Sequence, residues 1–148
     1  MSAIFCGLAE EGCAAADSKA DNTGVLADKD YIGFDTVHAD GDAMNFVYRK
    51  SGQTAVEKIA GVHVPVADDF VKLGFIYDPS APAAKRIKVF VNNTEQSTYI
   101  TATNIATATF PDGEELAPLF GVKNGTTTAS ELAIDWWAFG QLIKPATN

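Results

Sequence analysis

The feature that most constrains the fold of this chain is a two-residue hydrophobic repeat. In residues 86–92, Ile87, Val89 and Val91 alternate with polar side chains, and residues 70–77 show a similar alternation. Successive side chains of an extended strand point to opposite faces, so this spacing predicts strands with one buried face.

Comparable β-prone runs, bounded by turn residues, extend along the whole chain. They predict strands at Ile4–Leu8, Tyr31–His38, Ala43–Lys50, Thr54–Ile59, Phe70–Tyr77, Arg86–Asn92, Glu95–Ile105, Leu116–Lys123 and Glu131–Leu142. Pro118 places its strand at a sheet edge or a bulge, and the threonine-rich Glu95–Ile105 is expected to be an exposed or edge strand. The only helix suggested is a short one at Ala14–Lys19. About nine short strands without a long helix predict an all-β antiparallel sandwich or barrel.

The length of 148 residues fits a single domain spanning residues 1–148. A folded chain of this size buries about two-thirds of its unfolded surface, which is enough for a core without metals or disulfides. Nine Phe, four Tyr and two Trp supply large side chains for that core. Intrinsic disorder is therefore excluded.

The charge balance excludes several classes of partner. Eleven Lys and Arg against nineteen Asp and Glu give a net charge of −8. Nucleic-acid binding needs a basic face, and the densest basic cluster, Lys85, Arg86 and Lys88, is too small for one. Anionic membranes are disfavoured for the same reason. Residues 1–20 lack a secretory leader pattern and no apolar run reaches 18 residues, so we expect the chain to function without translocation or to be released by lysis.

The second half of the chain carries an ordered set of segments. A strand with a central glycine, Phe70–Asp78, is followed by a strand that ends in a turn, Lys88–Asn93. Next come a Phe-Pro turn at Phe110–Gly113, a Lys-Asn-Gly hairpin at Leu116–Gly125 and an Ile-Asp-Trp strand at Leu132–Trp137. This set resembles the laminin-G/concanavalin A-like jelly rolls of tailed-bacteriophage structural proteins. Phe5–Glu10 and Asp30–Phe34 resemble earlier strands of these domains, so the resemblance covers roughly Ile4–Leu142.

The resemblance implies a non-enzymatic virion protein that decorates or cements a capsid. Its implied partners are the major capsid protein or other virion proteins; its location is the capsid surface after synthesis in the host cytoplasm. No cofactor is implied. Such domains usually have one or two strands before the one matching Ile4–Leu8. We therefore expect an incomplete N-terminal edge that is completed by homo-oligomerisation or by a neighbouring subunit.

Two alternative functions follow from the same fold class. Lectin-like jelly rolls bind glycans, and an aromatic, threonine-rich rim suits a carbohydrate-binding module. Glycoside hydrolases need two carboxyl groups roughly 5–9.5 Å apart. Glu131 and Asp135 share a strand face but lie about 13 Å apart. The adjacent acids Glu10-Glu11, Asp68-Asp69 and Glu114-Glu115 point in opposite directions if extended. We therefore interpret them as solvated loop acids.

The remaining candidate chemistry is sparse. Asp35, Asp40 and Asp42 surround Gly41, but their spacing does not match the twelve-residue Ca²⁺ loop, so no metal site is predicted. No Gly-x-Ser-x-Gly is present. The two histidines are isolated in sequence and are expected to be surface or strand-end residues: His38 and His63.

The two cysteines, Cys6 and Cys13, lie seven residues apart. They could pair if residues 8–12 turn back, but a buried Cys6 and an incidental Cys13 are the simpler interpretation.

The aromatic residues are interpreted first as packing residues. Phe46 and Tyr48 fall on one face of their strand, as expected for core positions. Trp136 and Trp137 are consecutive and would face opposite sides of a strand, so we expect one in the core. Shielding of both within the protein is the first expectation. An interface anchor or a sugar-stacking platform is the alternative for the second tryptophan.

Overall fold

The computed structural model describes residues 2–13, 19–20, 24–37, 43–124 and 131–141. Within them the strands are β1 (Ser2–Glu10), β2 (Tyr31–Thr36), β3 (Met44–Arg49), β4 (Val56–His63), β5 (Leu73–Tyr77), β6 (Ile87–Val91), β7 (Thr94–Glu95) and β8 (Leu116–Asn124). A 3₁₀ turn (Ala83–Lys85) and a single helical turn, α1 (Ala102–Ile105), complete the regular structure of these residues.

Five strands form a large antiparallel sheet in the order β4-β3-β2-β1-β8. Its register places Phe34 opposite both Cys6 and Phe46, so alternate residues of β1, β2 and β3 line one common face. We call this the inner face. The predicted hairpin of Tyr31–His38 with Ala43–Lys50 is confirmed as β2 paired with β3, although its loop lies outside the described residues.

A small antiparallel sheet in the order β5-β6-β7 packs on the inner face. Phe75 of β5 lies 5.3 Å from Phe46 and 6.5 Å from Phe34, measured between ring centroids. Ile87 and Val89 of β6 join the same core. Two antiparallel sheets around one apolar layer confirm the predicted all-β sandwich. The jelly-roll connectivity stays a prediction.

The outer face of the large sheet has its own apolar layer. Phe5 and Tyr31 pack edge to face there with centroids 5.8 Å apart, and Cys13 and Leu26 cover them. Residues on both sides of β2 and β3 are therefore buried, and this includes all six residues of β2. This explains why β2 reads as a strand with few polar positions.

Two glycines allow the centre of this sheet to close. Gly7 of β1 pairs with Gly33 of β2. A Cβ built on Gly33 would lie 2.6 Å from the carbonyl oxygen of Cys6 and 2.6 Å from the Cα of Gly7. The two backbones approach too closely for a side chain at this point, so glycine is required.

The expected strand at Glu95–Ile105 is wrong for most of its length. Only the two-residue β7 and an isolated bridge from Ile100 to Ile87 are extended, and the segment ends in α1. The Thr101 hydroxyl accepts a hydrogen bond from the Asn104 N–H at 3.1 Å, and the Asn104 side chain accepts one from the Thr101 N–H at 3.0 Å. This reciprocal cap favours a helical turn over a strand, because Thr and Asn compete for backbone groups.

The incomplete N-terminal edge is also wrong. β1 pairs with β2 on one side and with β8 on the other, so it is an interior strand. The edges of the large sheet are β4 and β8. The predicted edge position of Pro118 is therefore confirmed in β8, whereas the helix at Ala14–Lys19 falls almost wholly outside the described residues.

Candidate interaction surface

β8 forms one border of the large sheet, and its sequence is nearly uncharged. Among the described residues it pairs with β1 alone, from Leu116 opposite Glu10 to Asn124 opposite Ser2. Lys123 is the only charged side chain in the strand. The strand carries two edge-protecting residues, Lys123 and Pro118, because charges and prolines commonly protect natural sheet edges.

The segment that follows, residues 131–141, contains no strand, so the predicted last strand at Glu131–Leu142 is wrong over these residues. Its alternating sequence has the β propensity of a strand, but within the described part of the chain no neighbour pairs with it. A strand needs a partner to satisfy its backbone groups, and propensity alone does not supply one.

The large side chains of this segment face solvent. The exposed fractions are 45% for Ile134, 64% for Trp136, 60% for Trp137 and 58% for Phe139. Phe120 of β8 is 36% exposed, and its ring centroid lies 6.2 Å from that of Trp137. We refer to these five side chains as the aromatic patch. The expectation that both tryptophans are shielded within the protein is wrong.

The five side chains expose an apolar area comparable with the largest patch of a typical monomer. A fully buried aromatic side chain removes about 150–250 Å² from water, so the five side chains expose on the order of 500 Å². The largest apolar patch of a typical monomer is about 300–600 Å² and is often functional. The summed exposed area of the five side chains, of which Phe120 and Trp137 are in ring contact, falls within that range.

The acidic residues considered for hydrolysis are dispersed. Glu131, Asp135 and the pairs 68–69 and 114–115 are exposed, as predicted for loop acids. Glu10 differs, because it is half-buried at the end of β1. Its carboxylate accepts hydrogen bonds from the Lys29 ammonium at 2.6 Å and from the Asp30 N–H at 2.8 Å. The Lys29 hydrogen bond lowers the pKa of Glu10, so this acid is a structural anchor for the chain that covers the outer face.

A buried ion pair that the sequence did not predict lies on the outer face of the large sheet. The Lys19 ammonium, 2% exposed, contacts the carboxylate of Asp35 on β2. It also donates to the carbonyl oxygens of Gly24 at 2.6 Å and Thr36 at 3.3 Å. Burial lowers the pKa of Lys19, and the Asp35 charge opposes this shift. The three N–H donors of the Lys19 ammonium thus have three acceptors. These contacts hold residue 19 against β2.

No sequence signal identified Lys19, because a single lysine in a polar stretch is ordinarily a surface residue. Asp35 was considered as part of a metal loop with Asp40 and Asp42, and these two lie outside the described residues. Within the described ranges no group of three or more His, Cys, Asp or Glu side chains could hold a metal ion.

The cysteines are both free thiols and belong to different layers. Cys6 is half-buried and lies opposite Phe34 on the inner face, whereas Cys13 is buried in the outer layer. The simpler interpretation is therefore wrong for Cys13, which is a core residue, whereas Cys6 is partly buried. Burial raises the pKa of the Cys6 thiol to about 11, which leaves it protonated and unreactive at neutral pH.

The remaining candidate residues that the structure describes pack in the core or lie at a strand end. Phe46 and Tyr48 pack in the inner core, as predicted, and Val47 packs in the outer layer. His63 is half-buried at the end of β4, opposite Met44, and His38 lies outside the described residues.

Comparisons with known protein families, with curated proteins and with solved structures found no match to this chain. In the described residues, no helix has the length and apolar character needed to cross a membrane. The exposed side chains of the aromatic patch are the feature of the described structure from which we propose a function.

Proposed function

We propose that this protein is a non-enzymatic structural component that docks on a larger protein assembly, as a decoration or cement protein on the capsid of a tailed bacteriophage. The observation that carries the docking role is the aromatic patch, about 500 Å² of exposed apolar surface beside a nearly uncharged edge strand. Aromatic side chains are enriched in the energetically dominant centres of protein interfaces.

The assignment to a virion rests on the jelly-roll resemblance of Ile4–Leu142. A cement protein stabilises a shell by burying area at many symmetric positions, so modest individual contacts add through multivalency. The net charge of −8 keeps such a protein soluble at high concentration before it assembles. The implied partner is the major capsid protein or another virion protein.

The direct experiment is mass spectrometry of purified phage particles from the source of this gene. We expect the chain at a copy number that is a simple fraction of the major capsid protein. Particles stripped of the chain should lose shell stability on heating and regain it when purified protein is added back. Complete absence of the chain from the particles would refute the proposal.

A carbohydrate-binding module is the second candidate, because Trp136 and Trp137 are 64% and 60% exposed and exposed Trp is a sugar-stacking side chain. A glycan array separates the two functions. Saturable binding that is lost in Trp136→Ala would favour the sugar, whereas an array without signal above background leaves the protein-docking role.

A further inference from the structure

The aromatic patch and the outer edge of β8 are two adjacent features of the described structure. Residues 116–122 of β8 form an edge without a charged side chain, and residues 131–141 form a strand-prone segment without a partner strand in the described part of the chain. The contact between Phe120 and Trp137 shows that the segment already lies against β8. The backbone groups of a sheet edge can form hydrogen bonds with an added strand, and a strand-prone apolar segment can be buried by adding to such an edge.

We infer that these two features form a self-association site, in which residues 131–141 of one copy add as a strand to the β8 edge of a second copy, and reciprocally. The inference rests on the proposed docking function and names its partner as this chain itself. In a two-fold arrangement the same surface is used twice, so each copy offers both an edge and a strand.

The area supports a second copy as the occupant. Burying the aromatic patch of both copies removes on the order of 1,000 Å² from water before any backbone pairing is counted. A stable interface needs roughly 1,000 Å² or more in total. Within one chain, four side chains of the aromatic patch are 45–64% exposed. Contact with β8 of the same chain therefore does not bury them.

The charge distribution also selects this surface. Two copies that each carry −8 repel each other, and contact is least unfavourable where acidic side chains are absent. β8 contains Lys123 and no acid, whereas residues 131–141 contain Glu131 and Asp135. Adding the segment to the edge brings an acidic strand to a strand whose single charge is positive, and pairing β8 with β8 would lack this complementarity.

The two tryptophans of the chain make the site directly observable, because both lie in the aromatic patch. Sedimentation velocity of the full chain from low micromolar to high concentration gives the oligomeric state, and tryptophan emission on the same samples reports burial of the patch. We expect a monomer–dimer equilibrium, with emission moving to shorter wavelength as the dimer forms. Added salt should change the association little, because it screens both the net repulsion of the two copies and the attraction between the acidic segment and β8.

The matched variants are Phe139→Ser in the patch and Ile76→Ser on β5, whose native side chains are 58% and 56% exposed. Phe139→Ser should weaken dimerisation by about tenfold or more, and Ile76→Ser should leave it unchanged. Circular dichroism of each monomer verifies folding, and Trp136→Ser provides a second patch variant with Trp137 as the reporter.

Three outcomes would overturn the inference: a monomer at every concentration, a dimer weakened by Ile76→Ser but not by the patch variants, or a dimer whose tryptophan emission is unchanged. Its failure is separable from failure of the proposed function. A chain that is present in particles but monomeric in solution refutes self-association only, and a dimer that is absent from particles refutes the capsid role only.

Discussion

The centre of the large sheet and its β8 border differ in whether their apolar side chains are buried. All six residues of β2 are buried between the small sheet and the chain that covers the outer face. At the border, residues 131–141 carry side chains just as apolar, yet all except the half-buried Leu132 are exposed. Similar sequence patterns thus have opposite environments, and the difference comes from the availability of neighbouring strands. The centre stabilises the fold, and the border is the surface on which we propose that a partner binds.

The largest expected effect tests the buried Lys19–Asp35 ion pair at the centre. Lys19→Met should lower the free energy of unfolding by about 3–5 kcal/mol, because it leaves the buried Asp35 carboxylate without its cationic partner. Urea unfolding monitored by circular dichroism measures this.

Two further variants identify the cause of that loss. Lys19→Met combined with Asp35→Leu should recover most of the stability, since replacing both ions removes the uncompensated charge. Lys50→Met is the surface control, because the Lys50–Asp112 pair is exposed and should contribute little. Equal losses of unfolding free energy for Lys19→Met and Lys50→Met would contradict the larger contribution of the buried ion pair.

The second effect compares one substitution at the two locations. Gly33→Ala should destabilise the protein by roughly 1–3 kcal/mol, because the added Cβ meets backbone atoms of β1 at 2.6 Å. Gly121→Ala in β8 should change stability by no more than about 0.5 kcal/mol, because no atom lies within 4 Å of its added Cβ. Thermal unfolding of both variants is sufficient, and equal melting temperatures would contradict the close approach of β1 and β2.

The third and smallest effect is on the pH dependence of stability. Burial raises the pKa of Cys6 to about 11 and that of Tyr31 to about 12. Between pH 9 and 11 the unfolded chain loses the thiol proton while the folded chain keeps it, so the free energy of unfolding falls as pH rises. Cys6→Ala should remove roughly 1–2 kcal/mol of this decrease.

Urea unfolding of both proteins at several pH values from 8 to about 11 measures the slopes, with each protein referenced to its own stability at pH 8. Tyr31 remains in the variant, and since burial raises its pKa from 10 to about 12, it supplies a loss above about pH 10 that both proteins share. Parallel curves for the native protein and Cys6→Ala would mean that the thiol is not desolvated in the fold.

Much of the fold was predictable because it depends on local alternation. β1, β2, β3, β6 and β8 all fall within a few residues of their predicted positions. The errors occur where a local pattern needed non-local confirmation. In residues 95–105 side-chain capping at Thr101 competes with strand pairing, and in residues 131–141 the strand lacks a neighbour.

The candidate surface was predictable only in part. The sequence offered one of Trp136 and Trp137, without saying which, as an interface candidate, but exposure of both depends on which strands pair. Phe120 gave no signal, because its position in β8 resembles any half-buried strand residue. Lys19 likewise gave no signal in the sequence, because its burial depends on Asp35, sixteen residues away, and on the chain that covers the outer face of β2.

By itself, the sequence determined the all-β class, the acidic surface and the positions of most strands, because periodicity and charge are properties of the chain alone. Only the tertiary structure decided that β1 is an interior strand, that a lysine is buried against β2, and that the last apolar segment is left outside the sheets. These outcomes depend on which strands become neighbours, and hydrogen bonds and burial between distant segments set that choice.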